Sequence, residues 1–380
     1  MSSFQPIPID EFDLAAAEPG PHAGTPPQTR VLRVGLDLGA HTSVFLAHDG
    51  EREVSTAPEL TLSVVGYPKD GILPGVIPAG RRFLVGAEAL AHKLYLDLVW
   101  PLERKAVGVD PRSAKDFLNA LCERVSARAG CEMWAVIGCP AHASPENLRS
   151  IRQAVSGCFS RVLLLPEPFL AAIGMRDETR LADPTYQDPT RNSIVIDIGH
   201  ATTDFCLVQG FLPGPKEMFS LPFGGNEVDR SICAHVQRRY PDAVMTPLAA
   251  MRLKAIHSFV GEPRERLVLN VPVEGRSCRI DVTDQMRAAC EELMSRIVDH
   301  VAKLAAQIDP DVVDLLMSNV ILTGGGSLVR SLPEQVERRL HQMGFETARV
   351  RRSEDPKRPV SRGALRVACT VRDDQWQIPL

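Results

Sequence analysis

Val34-Gly35-Leu36-Asp37-Leu38-Gly39-Ala40-His41-Thr42-Ser43 and Ile194-Val195-Ile196-Asp197-Ile198-Gly199-His200-Ala201-Thr202-Thr203-Asp204 are built to one plan. Each passes from an apolar run to an Asp, one apolar residue, a Gly and small hydroxylated residues, and a second apolar run follows. That order predicts a buried strand, a tight turn and a returning strand. The turn offers backbone N–H groups to an anion, and its carboxylate suits a cation. Two such hairpins facing each other can clamp a polyphosphate with its magnesium. A third segment, Val320-Ile321-Leu322-Thr323-Gly324-Gly325-Gly326-Ser327, reads as a strand entering a glycine turn and then a helix. Backbone at such a place can come close to a flat base or a phosphate.

The bulk properties narrow the class. At 380 residues the chain exceeds one ordinary core, so two domains are expected. A formal net charge of -4 gives no electrostatic reason to expect nucleic acid. Aromatic content of 5% argues against stacking platforms for single strands. No apolar run reaches the length of a membrane span. The start of the chain lacks a basic-then-apolar leader, so the cytoplasm is the expected compartment. Nine cysteines are scattered without a CxxC pair or a Cys/His cluster, which reads as buried free thiols in a reducing compartment.

Residues 1 to about 29 are rich in Pro, Ala and acids, lack periodicity, and read as a disordered tail. Within it, Pro6 to Leu14 mixes acidic and apolar residues and could dock on a cargo or adaptor; a plain solvated leader is the competing reading. Residues 57–105 are rich in Pro and Gly and suggest a small inserted subdomain. Helical spacing runs over Ser113–Ala129, a buried strand over Trp134–Gly138, and Ser144-Pro145-Glu146 opens a helix with an N-cap serine and a first-turn proline. A strand at Val162–Leu165 and a helix at Phe169–Met175 follow. After a polar loop at 176–192 the opening plan repeats: strands at 193–198, 202–208 and 216–221, then a helix from about 225. Long helices are predicted at 246–257, 283–307 and 327–342, strands at 266–271, 277–282 and 319–323, and a short final helix at 362–370. Strand hairpins followed by alternating helices, given twice, describe two related α/β halves.

Several residues are candidates for chemistry. Asp37 and Asp197 stand at matching places and suit Mg²⁺, directly or through water; each could instead cap its own turn. Gly39 and Gly199 permit the turns, and Thr42, Ser43, Thr202 and Thr203 could add hydroxyl donors, with Asp204 a candidate for either metal work or fold support. Glu167 lies between two prolines after a strand, where a carboxylate could orient a water, or could simply favour the helix dipole. Gly224-Gly225-Asn226 could contact ribose or phosphate or form an ordinary loop, and Lys254 could lie along a purine ring or in solvent.

Together these motifs resemble the actin, sugar-kinase and heat-shock-chaperone ATPase superfamily. The Asp37 and Asp197 segments look like its two phosphate loops and Gly324–Gly326 like its adenosine motif. Within it the chain is most similar to bacterial actins of the MreB type, above all the magnetosome-filament branch. Ser63–Asp70, Tyr95–Leu98, Ala135–Ser144, Glu167-Pro168-Phe169, Ser258–Gly261 and Arg362–Arg366 carry that likeness, which spans roughly residues 31–370.

The resemblance implies an actin-like α/β fold of two related ribonuclease H-like lobes with a nucleotide cleft between them. The lobes fall at residues 30–175 and 176–350, with inserts near 57–105 and 225–280, and residues 351–380 return to the first lobe. It further implies that ATP or ADP binds with Mg²⁺, and that hydrolysis controls a homopolymeric filament associated with an intracellular structure such as the magnetosome. Glu167 and Asp197 would be catalytic, and Asp37 and Asp197 would hold the metal. Gly39, His41, Thr42, Gly199, Thr202, Thr203, Gly225, Lys254, Gly324, Gly325 and Gly326 would contact the nucleotide.

Three positions depart from the family pattern. Ala40 removes a hydroxyl, Ala201 stands where glycine is common, and Met251 stands where an acid often holds the ribose. Were position 201 to need a positive φ, alanine would cost on the order of 1 kcal/mol there. A non-hydrolysing scaffold of the same fold is therefore the alternative. A small-molecule kinase would need a second pocket with a base for a substrate hydroxyl, for which the sequence offers no strong candidate, and the chaperone reading is weak because no appended peptide-binding domain follows the ATPase core.

Overall fold

Alternation of apolar residues and two glycine turns generate the first sheet. In the computed structural model, residues 31–54, 60–78, 80–102, 111–125, 131–273 and 276–379 are described; the N-terminal tail expected at 1–29 lies outside them. Strand β1 (Val31–Leu38) turns at Gly39 into antiparallel β2 (Thr42–His48), and β3 (Thr61–Leu62) adds to its far edge. The Pro/Gly-rich insert holds a separate three-stranded sheet, in which β4 (Val65–Pro68) lies between β5 (Leu84–Val85) and β6 (Leu96–Val99), with the short helix α1 (Ala87–Ala91). Helix α2 (Pro111–Glu123) buries Phe117, Leu118 and Leu121 on one stripe, as its spacing requires. Next, β7 (Glu132–Cys139) joins β1 in parallel, α3 (Pro145–Val155) starts with Ser144 accepting from the Asn147 N–H at 3.1 Å, and β8 (Arg161–Pro166) extends the sheet into α4 (Glu167–Met175). The sheet order is β3-β2-β1-β7-β8.

The second half repeats this path. Strands β9 (Ser193–Ile198), β10 (Thr203–Val208) and β11 (Met218–Leu221) form an antiparallel meander, followed by α5 (Gly225–Arg239) and α6 (Pro247–His257). A two-stranded ribbon, β12 (Val268–Val273) with β13 (Arg276–Asp281), leads into the long helix α7 (Thr283–Ala305) and then α8 (Pro310–Met317). Strand β14 (Val320–Thr323), helix α9 (Leu332–Gln342) and β15 (Val350–Arg352) complete a sheet of order β11-β10-β9-β14-β15, the same topology as the first. The chain ends with α10 (Pro359–Thr370).

Two compact units result. One holds the chain up to Arg176 together with 210–216 and everything from Arg358; the other holds Asp177–Gln209 and Glu217–Lys357. Each has its own core, around Leu36, Phe117 and Ile137 in the first and around Ile196, Phe205, Ile297 and Leu322 in the second.

Outside the 57–105 insert, α8 and β15 were not anticipated, and one helix was drawn too long. Helix α8 carries a readable start signal, since Asp309 accepts from the Asp311 N–H at 3.0 Å and Pro310 opens the first turn. Strand β15 is only three residues with two arginines, too short for any alternation to show. The helix expected at 327–342 is broken: Gly325–Leu328 is a 3₁₀ turn, Ser331 adopts φ 62°, and α9 begins only at Leu332. Pro333 has no N–H to donate to a preceding turn, so it sits at a helix start.

Helix α10 belongs to the first unit and seats on β1 and α4 through glycines. A Cβ at Gly363 would collide with the Leu170 carbonyl, one at Gly174 with the Pro359 carbonyl, and one at Gly35 with Leu365 backbone. Backbone against backbone leaves nothing flexible to yield. Gly363→Ala is therefore expected to lower stability by about 1–3 kcal/mol, the usual cost of overpacking. A fall in the urea midpoint with an unchanged slope would show it, and an unchanged midpoint would refute the packing argument.

Candidate functional site

In the first unit the Asp37 turn is held from a neighbouring segment. The Ser63 N–H donates to the His41 carbonyl at 2.8 Å and its hydroxyl to the Gly39 carbonyl at 2.7 Å. Because the Ser63 proton goes to Gly39, Ser43 supplies the proton of the 2.9 Å Ser43–Ser63 contact, and both hydroxyls are buried. Gly39 is required sterically, as a Cβ would meet the Thr42 carbonyl oxygen. The His41 ring stacks on Trp100 with centroids 5.3 Å apart, while Thr42 is half-buried beside it.

The second unit solves the same problem with a helix start. The Gly199 N–H closes its turn on the Thr202 carbonyl at 2.9 Å. The Gly225 N–H donates to the Gly199 carbonyl at 3.0 Å, and the Asn226 N–H to the His200 carbonyl at 2.8 Å. Gly224 lets α5 approach, since a Cβ there would lie 2.6 Å from the His200 oxygen. Thr203, the equivalent of Ser43, is fully buried and donates its hydroxyl to Phe223 O at 2.7 Å. Thr202, the equivalent of Thr42, is half-buried and donates to Asp204 Oδ2 at 2.8 Å. In both units, then, the turn's carbonyl oxygens are engaged by donors from another element. Their negative ends are partly neutralised, which favours an anion at the turn.

Asp197 is 6% exposed and pairs in register with Thr323 on one side and Asp204 on the other. Gly324, at φ +77°, packs directly on it: a Cβ would overlap Asp197 Oδ1 and the Ile198 carbonyl. Gly326 lies on Ile198, whereas nothing stands within 4 Å of a Cβ built at Gly325, so that backbone is open to a ligand.

Glu167 is the first residue of α4, with Pro168 second, and is 2% exposed. It lines an apolar pocket with Leu38, Leu102, Gly138, Pro140, Ile151, Ala154 and Val155. Gly138 makes room for it, since a Cβ there would come 2.9 Å from Glu167 Cγ. Leu38 brings this pocket next to the Gly39 turn in sequence.

Lys254, on α6, is engaged at the start of α5. Its ammonium lies 2.8 Å from Asp229 Oδ1 and donates to the Gly225 carbonyl, joining α6 to the first turn of α5. Asp229 is 3% exposed; burial raises its pKa, and Lys254 opposes that rise. Among the described residues, no group of three or more His, Cys, Asp or Glu side chains gathers into a protein cage for a metal. One carboxylate per turn suits magnesium, which keeps waters and phosphate oxygens.

The family described as MreB/Mbl protein matches residues 34–375. The chain belongs to that family. It is 31% identical over 350 residues to the actin-like protein MamK of Paramagnetospirillum magneticum (strain ATCC 700264 / AMB-1), covering 91% of this chain and 94% of that protein. A solved MamK double helical filament superposes with a TM-score of 0.79 at 31% identity, covering 89% of this chain and 98% of that one. A non-polymerising MamK mutant bound to AMPPNP gives 0.64 at 32% identity, covering 90% and 99%. The fold is therefore actin-like, and the repeated sheet order is the family's pair of related lobes.

The three departures from the family pattern take on physical meaning here. Ala201 is not at positive φ, for among the described residues only Asn192 and Ser331 are non-glycine residues with that geometry. The strain contemplated for Ala201 is thus absent. Ala40 is buried at 5% exposure, so a methyl replaces a hydroxyl in a closed place. Met251 lies on α6, half-buried, three residues before Lys254. Ser63 and Asp229 were the residues that the sequence did not single out. Ser63 opens a quoted run, but nothing marks it as a partner of a turn 24 residues away. Asp229 follows Gly225 by one helical turn, a spacing that places both on one face.

Two outcomes are expected. Gly324→Ala should cost about 1 kcal/mol or more from φ alone, with Asp197 displaced, read as a lowered unfolding midpoint. For Lys254→Met the pH sign can be worked out. A carboxyl whose folded pKa lies above its unfolded value stabilises at low pH, and that stability is lost as pH rises through the folded pKa. Without Lys254 the Asp229 pKa rises further, so the variant's stability deficit should be larger at pH 8 than at pH 5. An equal deficit in urea titrations at both values would show that the pair is not coupled.

Proposed function

We propose that this chain is an ATP-binding bacterial actin that polymerises into filaments, with Mg²⁺-dependent hydrolysis controlling their turnover. The observation that carries the reading is the repeated turn: the same Asp-x-Gly, in the same strand order, with its carbonyls engaged from outside in both units. Support comes also from the polymeric and AMPPNP-bound states named for its MamK relatives. The likeness to the magnetosome-filament branch supports a filament that organises or positions magnetosomes or a similar intracellular structure. Among the described residues, no helix is long and apolar enough to cross a membrane.

In this proposal Asp37 and Asp197 hold the magnesium, directly or through water, with Gly39, His41, Thr42, Gly199 and Thr202 around the phosphates. Thr203, its hydroxyl committed to Phe223, supports the second turn from within. Gly225, Gly324, Gly325 and Gly326 serve the nucleoside side, where the open backbone of Gly325 admits a flat ring. Bound magnesium neutralises phosphate charge and polarises the bond to be broken. Glu167, in its apolar pocket, orients and deprotonates the attacking water. The N-terminal segment is the proposed contact for cargo or adaptors.

A second reading, a non-hydrolysing scaffold of the same fold, is favoured by one observation: the buried methyl of Ala40 where a hydroxyl donor is usual. Phosphate release separates the two. Glu167→Ala should retain Mg·ATP binding, slow phosphate release by about 10²-fold or more, and leave filaments that persist in pelleting and microscopy. Asp197→Ala should weaken Mg·ATP binding itself. A parent protein that binds ATP and forms filaments without releasing phosphate would establish the scaffold. A Glu167→Ala protein that hydrolyses at the parent rate would remove that residue from the mechanism.

A further inference from the structure

We propose that Lys254 is a positioning residue for the second phosphate turn, acting through a buried clasp with Asp229 rather than by touching the purine. This rests on the nucleotide reading above and deepens it. Three links form the chain of contacts. Lys254 Nζ meets Asp229 Oδ1 at 2.8 Å and donates to the Gly225 carbonyl, so α6 grips the first turn of α5. The N–H groups of Gly225 and Asn226 hold the carbonyls of Gly199 and His200 at 3.0 and 2.8 Å. Gly224 is packed so closely on these same carbonyls that even a methyl has no room, the nearest oxygen being 2.6 Å from a built Cβ. A shift of the α5 start therefore moves the Gly199–Thr202 turn with it.

The chemistry of the clasp supports a fixed role. The ammonium donates to the Gly225 carbonyl, and the Asp229 carboxylate faces it at 2.8 Å as an ion pair. The lysine side chain is 17% exposed and the aspartate 5%. A buried ion pair broken on one side leaves an uncompensated charge, so the pair holds its geometry strongly once formed. At the first turn, among the described residues, Ser63 itself holds the Gly39 and His41 carbonyls.

Two measurements on the full chain test this. The first is amide hydrogen exchange without nucleotide, comparing the parent with Lys254→Met. Exchange at 199–203 and 224–228 should accelerate in the variant while β1, β2 and the Asp37 turn stay unchanged. The second is calorimetric binding of Mg·ATP and of Mg·tripolyphosphate, which has no purine or ribose. Lys254→Met should lower both affinities by the same factor, about tenfold, as expected for sites coupled through one element. Should Lys254→Met fold poorly, Asp229→Asn removes the charge at nearly constant volume and should move both readouts in the same direction by a smaller factor. Unchanged exchange at 199–203 in both variants overturns the proposal. So does a loss confined to Mg·ATP with tripolyphosphate binding intact, which would make Lys254 a nucleoside contact. A parent protein that binds neither ligand refutes the nucleotide reading, while the exchange comparison still decides whether the clasp positions the turn.

Discussion

A turn made of an Asp, a Gly and two small residues has few bonds of its own, and whether it can receive an anion depends on where its carbonyl oxygens go. In this protein the carbonyls of Gly39, His41, Gly199 and His200 are taken by donors from outside the hairpin. Ser63 supplies both donors in the first unit, and the start of α5 supplies them in the second. The two solutions differ in chemistry and agree in effect. Each fixes a short loop whose intrinsic conformational freedom would otherwise work against a defined site.

Close approach of backbone is the second constraint, and it follows from the first. Gly39, Gly224, Gly324 and Gly326 sit where any side chain would strike a carbonyl, a carboxylate or the Ile198 side chain. The same device recurs away from the turns, where Gly35, Gly174 and Gly363 let α10 rest on β1 and α4. At these positions glycine serves proximity rather than left-handed backbone, although Gly324 needs both. Gly138 extends the idea to the candidate catalytic carboxylate, because its missing side chain is the space that Glu167 occupies.

Membership of the MreB/Mbl family places these details in an actin-like fold duplicated within one chain. The duplication is easier to see in sheet order than in residues. Beyond the two Asp-x-Gly runs, the halves carry different inserts: a three-stranded sheet in the first, and α6 with the β12–β13 ribbon in the second. Differences of this kind let one scaffold hold matching turns by unmatched means. Ala201 illustrates how context decides a residue's meaning, since its alanine is strained only if the backbone there is left-handed, and it is not.

Much of this was legible in the residues themselves. The apolar runs around Asp37 and Asp197, the Ser144-Pro145 helix start and the glycine triplet after β14 each encode a local conformation through side-chain sterics and turn chemistry, so they could be read without a partner. Sequence alone therefore determined the strands, the turns, their repetition and the identity of the acidic residues within them. Tertiary structure decided the rest: that Ser43 and Thr203 turn inward, that Ser63 reaches back to Gly39, that Lys254 closes on Asp229, and that a three-residue arginine strand completes a sheet. These are pairings between residues distant along the chain. No local propensity specifies them, because their energy exists only once burial has removed water from both partners.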